Sequence, residues 1–296
     1  MGVRFCHDNI NETSLKNSTT SVSPSPVYVA QGYWLFEALT IFMSKRAMPA
    51  LSNPITWLPS KTPEGDKRTI DVEVVPMTLA LIKRWKSSVQ PIIDDAYAHY
   101  HEGCDPLKAR ADVGWNWRAN WLLTKAHDLG CKMPGIKSGP SQALCMVVDQ
   151  DGEKFPIGML TVVPSYFCNV KGWGHRAFTW YLADAPSEVY DQVLGQPRVQ
   201  GVARALLDCT IQSALDHSQS GELLLHADPK GGEKLIEFYK DRCSMTRLAA
   251  DNGDISLTRR GPSDEYFHWD QDMALEFCAQ NDVRRTNASS HRSVLG

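Results

Sequence analysis

The segment Pro197-Arg198-Val199-Gln200-Gly201-Val202-Ala203-Arg204-Ala205-Leu206-Leu207 joins a predicted strand to a predicted amphipathic helix. Small residues at Gly201 and Ala203 let the main chain approach a ligand closely. The first amides of a helix have no internal acceptor, and the helix dipole adds partial positive charge there. Such a start cradles a phosphate without needing any particular side chain. The dipole alone gives a bound anion about 0.3–1 kcal/mol. A glycine ahead of a helix is also common in loops that bind nothing, so the rest of the chain must supply the support.

Other constellations argue for less. His99, His101, Glu102 and Cys104 are metal-ligand types, but His-x-His on a helix points to different faces. The eight cysteines form no Cys-x-x-Cys pair, which speaks against zinc and for reduced, buried thiols. Trp115, Trp117 and Trp121 either line a substrate pocket or form the buried stripe of a helix, and the stripe is the simpler reading. No Ser-His-Asp or phosphate-loop motif stands out.

The elements that must position the segment alternate along the chain. Thr69 to Val75 reads as a strand and Met77 to Ser88 as a helix, restarted by Pro91 and able to run to Tyr100. Trp117 to Lys125 is helical and stops at Gly130. Ala143 to Val148 and Ile157 to Val163 make a hairpin about Asp149-Gln150-Asp151-Gly152. Ala177 to Ala183 is an aromatic strand, Val202 to His217 a helix, Glu222 to His226 a strand and Glu233 to Arg242 a helix. Met245 to Leu248 and Ile255 to Leu257 flank the turn Asp251-Asn252-Gly253. Met273 to Ala279 closes the chain as a helix, with a loose tail from Asn281.

On these residues the chain resembles the GNAT acetyltransferase family. The family signature is Arg/Gln-x-x-Gly-x-Gly/Ala leading into a helix, and Arg198, Gly201 and Ala203 hold those places. A later family motif, a strand leading to a helix that bears Phe-Tyr, is matched by Glu222 to His226 and by Phe238-Tyr239 ahead of Arg242-Cys243-Ser244-Met245. The order of elements matches as well, over Arg68 to Gly261. There are departures. Eleven residues, 187 through 197, separate Pro186 from Arg198, so Ser187 to Gln196 is an inserted loop or the strand end lies elsewhere. Cys243-Ser244 stands where the family commonly has Gly.

The resemblance implies an α/β fold with a mixed, mostly antiparallel central sheet flanked by helices and preceded by an N-terminal extension. It implies acetyl-CoA bound where two neighbouring strands part, with the pantetheine arm pairing to main chain like an extra strand. Leu182 and Asp184 would supply those contacts, and Arg198, Val199, Gln200, Gly201, Val202, Ala203 and Arg204 would hold the diphosphate. An amide near Leu182 could polarise the thioester carbonyl. Tyr239 matches the family's usual acid. Glu188, Asp184 and His226 remain open as the base, directly or through water.

Composition narrows the partners. With 31 basic and 34 acidic side chains the net charge is -3, which gives no strong nucleic-acid signal and no drive toward a membrane surface. The apolar stretch Tyr33 to Met43 is too short to span a bilayer. Residues 1–30 are rich in Ser, Thr, Asn and Pro and read as a disordered tail. Residues 31–67 read as a helical and irregular extension whose four prolines after residue 48 forbid a regular helix. Residues 68–261 are the acyltransferase domain, and 262–296 a helix and tail. The expected partner is an amine-bearing acceptor, small molecule or protein. A homodimer is compatible with the sequence, no metal is implied, and the expected location is cytoplasmic. Two rival readings stand beside the enzyme: a degenerate relative that binds CoA or serves as a protein-interaction module, and a secreted effector or toxin.

Overall fold

The computed structural model describes residues 50–61, 65, 67–170, 172–249 and 265–285. The expected helix from Gln31 to Ala47, the N-terminal tail and the turn Asp251-Asn252-Gly253 with Ile255 to Leu257 lie outside these residues.

Chain order begins with a two-stranded antiparallel hairpin, β1 (Trp57–Lys61) and β2 (Lys67–Asp71). The stretch expected as an irregular connector thus contains a strand. Pro59 fits there because the side of β1 away from β2 uses its carbonyl, which accepts from Gln200 N, and needs no amide from it. The strand expected as continuous from Thr69 to Val75 is broken at Val72, whose amide donates to Thr56 O at 2.9 Å. β3 (Glu73–Pro76) then pairs with a different sheet.

That sheet has seven strands in the order β3-β4-β5-β6-β7-β9-β8. They are β4 (Gln142–Gln150), β5 (Glu153–Cys168), β6 (Gly174–Asp184), β7 (Leu223–Ala227), β8 (Thr246–Arg247) and β9 (Glu265–Trp269). Every neighbouring pair is antiparallel except β6 and β7, which run parallel. β9 lies beyond Gly261, where the sequence places the end of the main domain, yet it fills the sheet between β7 and β8.

Helices cover both faces. α1 (Leu79–Ser88) starts at Thr78, whose hydroxyl accepts from the Leu81 amide, and buries Leu81, Ile82 and Trp85. α2 (Gln90–Ala96) restarts at Pro91 but stops at Ala96, short of Tyr100. α3 (Trp117–Gly130) is capped by Asn116 and buries Trp117 and Trp121. These two indoles join the core beside Met159 and Ala183, so the buried-stripe reading holds for them.

The opposite face carries α4 (Val202–Asp216), α5 (Gly232–Glu237), which runs on as a π-type turn from Phe238 to Arg242, and α6 (Gln271–Ala279). Leu207 and Ile211 of α4 pack with Leu223, Leu225 and Ala227 of β7, with Tyr239 and with Phe277. α4 sits close to β5 because Gly158 has no side chain. A Cβ there would lie 2.9 Å from Val202 and 3.0 Å from Leu206.

The segment after α6 is not the loose tail expected from Asn281. Arg285 forms an ion pair at 2.7 Å with Asp208, which is fully buried in the middle of α4. Arg285 also donates to Asn53 O, and Trp57 Nε1 donates to Val283 O. The two ends of the described chain are therefore stitched together over α4.

Candidate active site

The parallel pairing of β6 with β7 runs from Ala177↔Leu223 to Thr179↔Leu225 and stops. β6 continues to Asp184 and β7 to Ala227, so beyond Thr179 the strands part. On its other side β6 stays paired with β5 as far as Gly158↔Asp184. The Ala185 amide donates to Ile157 O at 2.9 Å. In an antiparallel ladder that bond makes Gly158↔Asp184 a pair whose own amide and carbonyl groups point away from each other, and alternation gives Leu160↔Leu182 the same character. Leu182 and Asp184 therefore aim their main-chain groups into the opening beside β7. The Asp184 carbonyl already accepts from Arg110 Nη2 at 2.7 Å.

A register shift between Thr161 and Val162 leaves Trp180 as an extra residue in β6. It places Thr179 and Tyr181 on opposite faces. Thr179 meets Thr210 of α4, whereas Tyr181 meets Trp115 edge-to-face at 5.1 Å. Tyr181 thus lies on the α3 face and Leu182 on the α4 face.

The segment expected to hold phosphate ends in Gly201 at φ +80°, a left-handed conformation that glycine adopts without strain. A Cβ built there meets nothing within 4 Å, so the space ahead of the loop is open. Helical pairing begins with Ala205 N to Gly201 O, which leaves the amides of Val202, Ala203 and Arg204 as the unspent start of a 15-residue helix. The rest of the segment is otherwise engaged. Gln200 N donates to Pro59 O at 2.7 Å, Ser60 Oγ donates to Arg198 O at 3.1 Å, and Val199 is buried in a bridge with Ser60. The Gln200 amide and Val199 are thus engaged within the protein: β1 holds the loop from behind. The Arg198 side chain is exposed. The Arg204 guanidinium caps Arg242 O at 2.7 Å and bonds Gln280, so only its amide faces this task.

Tyr239 lies in the π-type turn after α5, buried between Phe238 and Phe267. Burial first, then the charges of Cys243, Asp184 and Asp112, push its phenol above the ordinary 10.0. The phenol is thus held in its protonated form, on the α4 face with Leu182. The turn ends on Ser244 at φ +54°, with Met245 N returning to Tyr239 O at 2.9 Å. Ser244 therefore occupies, at some strain, the left-handed position that the resemblance assigns to Gly.

The three candidate bases separate. Ser187–Val189 is a single helical turn running into a π-type turn, Tyr190–Leu194, so the insertion is a short helix and the strand end stays at Asp184. Glu188 on it accepts from Tyr97 Oη at 3.0 Å. Desolvation raises its pKa, but its own amide, Tyr97, Ser187 and Lys108 outweigh that and hold it below 4.5. A carboxylate so stabilised is a poor base. Asp184 faces Arg110 at 3.5 Å. His226 shares a face with Leu224 and Tyr266, its ring 4.9 Å from Tyr266, and this is the face of Tyr181 rather than of Tyr239.

Sequence reasoning missed residues 97–116, a strap that crosses both limbs of the opening. Tyr100 N donates to Lys230 O just beyond β7, and Lys234 Nζ donates to Leu107 O. Arg110 grips Asp112 with two bonds of 2.8 Å while reaching Asp184, and its guanidinium lies 5.2 Å from the Tyr97 ring. The strap has no apolar periodicity, so nothing local announces it. His99 on it bonds Val113 O and His101 bonds Glu102 O, which turns those rings to main chain rather than to a metal. Among the described residues no group of three or more His, Cys, Asp or Glu is arranged to hold a metal ion, and seven cysteines are free thiols. No helix of the described residues is long and apolar enough to cross a membrane.

No family model matches the chain, and neither does any curated protein. Solved GNAT acetyltransferases are similar to it. One, from Staphylococcus aureus, shares 9% identity over 67% of this chain and 97% of its own, with a TM-score of 0.39. RimJ of Mycobacterium smegmatis, solved with CoA-disulfide, shares 13% over 78% and 94%, with a TM-score of 0.41. A Tyr-to-Phe mutant of the AtaT toxin, bound to the C-terminus of the antitoxin AtaR, shares 15% over 70% and 98%, with a TM-score of 0.38.

Proposed function

We propose that this chain is an acetyl-CoA-dependent N-acetyltransferase acting on an amine-bearing acceptor in the cytoplasm. The observation that carries the reading is the adjacency of two features. One is a parallel strand pair that parts after Thr179↔Leu225, with Leu182 main-chain groups aimed into the gap. The other is a helix start with three unspent amides and open space before Gly201. An extended amide chain fits the first and a diphosphate fits the second.

The bound thioester would supply an activated acyl carbon. Leu182 N–H would donate to its carbonyl oxygen as negative charge builds. The amine nitrogen bonds to the acyl carbon and the carbon–sulfur bond breaks. His226 takes the proton lost by nitrogen, directly or through water, and Tyr239 gives one to the departing sulfur. The two groups lie on opposite faces of the sheet, which suits attack from one side and protonation on the other. Trp115 and Tyr181 form an aromatic edge on the His226 face, where the acceptor would approach.

A second reading, a CoA-binding or protein-interaction module without turnover, has one observation in its favour. Gln200 N and Asp184 O, two groups a ligand would use, are already bonded within the protein. Release of free thiol from acetyl-CoA across an amine panel separates the two. Turnover with any amine, lost in Tyr239→Phe and His226→Gln, supports the enzyme. Binding without thiol release from any amine supports the module.

A further inference from the structure

Lys234 lies on α5, the helix that follows β7, and its Nζ donates to Leu107 O of the strap at 2.9 Å. Three residues further along the strap, Arg110 reaches Asp184 at the end of β6. The strap therefore runs from Lys234 on the β7 limb of the opening to Asp184 on the β6 limb. The turn that continues α5 meets the phosphate-side helix, because Arg242 O accepts from the Arg204 guanidinium in the first turn of α4 at 2.7 Å. The charges gathered around Lys234 do not cancel. Arg110, Arg198 and Arg242 all stand close enough to act on its ammonium, against one carboxylate, Asp184, which already faces Arg110 at 3.5 Å. Burial first, then Arg110, bring the Lys234 pKa below 10.5; Asp184 opposes this, and Arg198 and Arg242 add to it. Lys234, Arg198 and Arg242 are all exposed, so this surplus of positive charge is open to a ligand from solvent. An ammonium has three donors, and Leu107 O takes one of them. Cations held together in this way repel one another until an anion joins them.

We propose that the Lys234 ammonium binds the diphosphate of an acyl-coenzyme A, holding it between the strap and the amides that open α4. The inference rests on the acyl-coenzyme A reading and deepens it, because Lys234 lies outside the Arg198-x-x-Gly201-x-Ala203 segment. The amides of Val202, Ala203 and Arg204 offer partial positive charge, and Lys234 adds a full one. Its remaining bond to Leu107 O makes the same side chain a link between the bound diphosphate and the strap.

The test is calorimetric titration of acetyl-CoA, and of S-acetyl-pantetheine, which lacks the diphosphate, into the full chain and its Lys234→Met variant. Lys234→Met should bind acetyl-CoA roughly 10-fold more weakly or worse, the effect of one lost charge-assisted hydrogen bond, and bind S-acetyl-pantetheine as wild type does. The gap between the two proteins on acetyl-CoA should narrow as salt is added. Equal affinities for acetyl-CoA would overturn the proposal. So would an equal loss on both titrants, which would make Lys234 a tether for the strap alone. Lys234→Gln keeps an N–H donor without the charge and serves as a second variant. It should lose acetyl-CoA affinity as Lys234→Met does, and wild-type affinity in it would contradict a role for the charge. Should wild type itself fail to bind acetyl-CoA, the acyl-coenzyme A reading falls first and takes this inference with it.

Discussion

Arg110 Nη2 donates to the main-chain carbonyl of Asp184 at 2.7 Å, across 74 residues of sequence, while the same guanidinium holds Asp112 in a two-bond grip. One half-buried side chain thus fastens the strap to the last residue of β6. Asp112 is 7% exposed at its side chain, so removing its partner strands a carboxylate away from water.

Arg110→Ala should therefore destabilise the fold by about 3–5 kcal/mol, the usual cost of leaving one buried charge unpaired. Arg110→Met combined with Asp112→Leu should recover most of that loss. Urea unfolding of the two variants checks it. Equal destabilisation of both would show that the pairing itself is not what matters.

Tyr239→Phe removes only the hydroxyl from a ring that stays packed on Phe267. Turnover should fall by roughly 100-fold or more, within the range for general acid catalysis, while acetyl-CoA affinity holds. The pairing of kcat with a directly measured Kd is the check. An unchanged kcat removes Tyr239 from the chemistry.

Ser244 is exposed and sits at φ +54°. Ser244→Gly relieves the left-handed strain and should raise stability by about 1 kcal/mol. Thermal melting reads this directly, and a lower melting temperature would contradict it.

His127 and His268 each titrate below the ordinary 6.5. Burial is the main cause in both; for His127 Asp128 opposes it, and for His268 Arg176 adds to it while Asp270 and Glu222 oppose. A histidine whose folded pKa is lowered gives up its proton on folding. Its contribution to stability is complete above 6.5 and is lost as pH falls through the lowered value. The melting temperature should thus drop as pH falls below the ordinary 6.5. His127→Phe keeps an edge-to-face partner for Trp180, 5.0 Å away in the native chain, and should flatten that slope.

What could be read in the sequence was what local chemistry writes there. Pro91 announces the restart at α2 because it lacks the amide a helix interior needs, and Gly130 marks the end of α3. Asp151-Gly152 announces the β4–β5 hairpin because both residues adopt positive φ. Gly201 and Tyr239 were legible as a pattern, and the parting of β6 from β7 was what the family resemblance implied. What stayed hidden depends on distant partners. β9 enters between β7 and β8 with no turn of its own to mark it. Val72 splits one apparent strand because Thr56 claims its amide. Arg110, on an aperiodic strap, gains its meaning only from Asp184. The loop amide of Gln200 looked free until Pro59 folded against it.

The central claim is that the unspent amides at the start of α4 hold a diphosphate, and Ala203→Glu tests it most directly. A carboxylate in the first turn favours the helix, by about 0.3–1 kcal/mol, but repels an anion at the same place. Calorimetric titration should show wild type binding acetyl-CoA and Ala203→Glu failing to bind while melting no lower than wild type. Undiminished affinity in the folded variant would contradict the account.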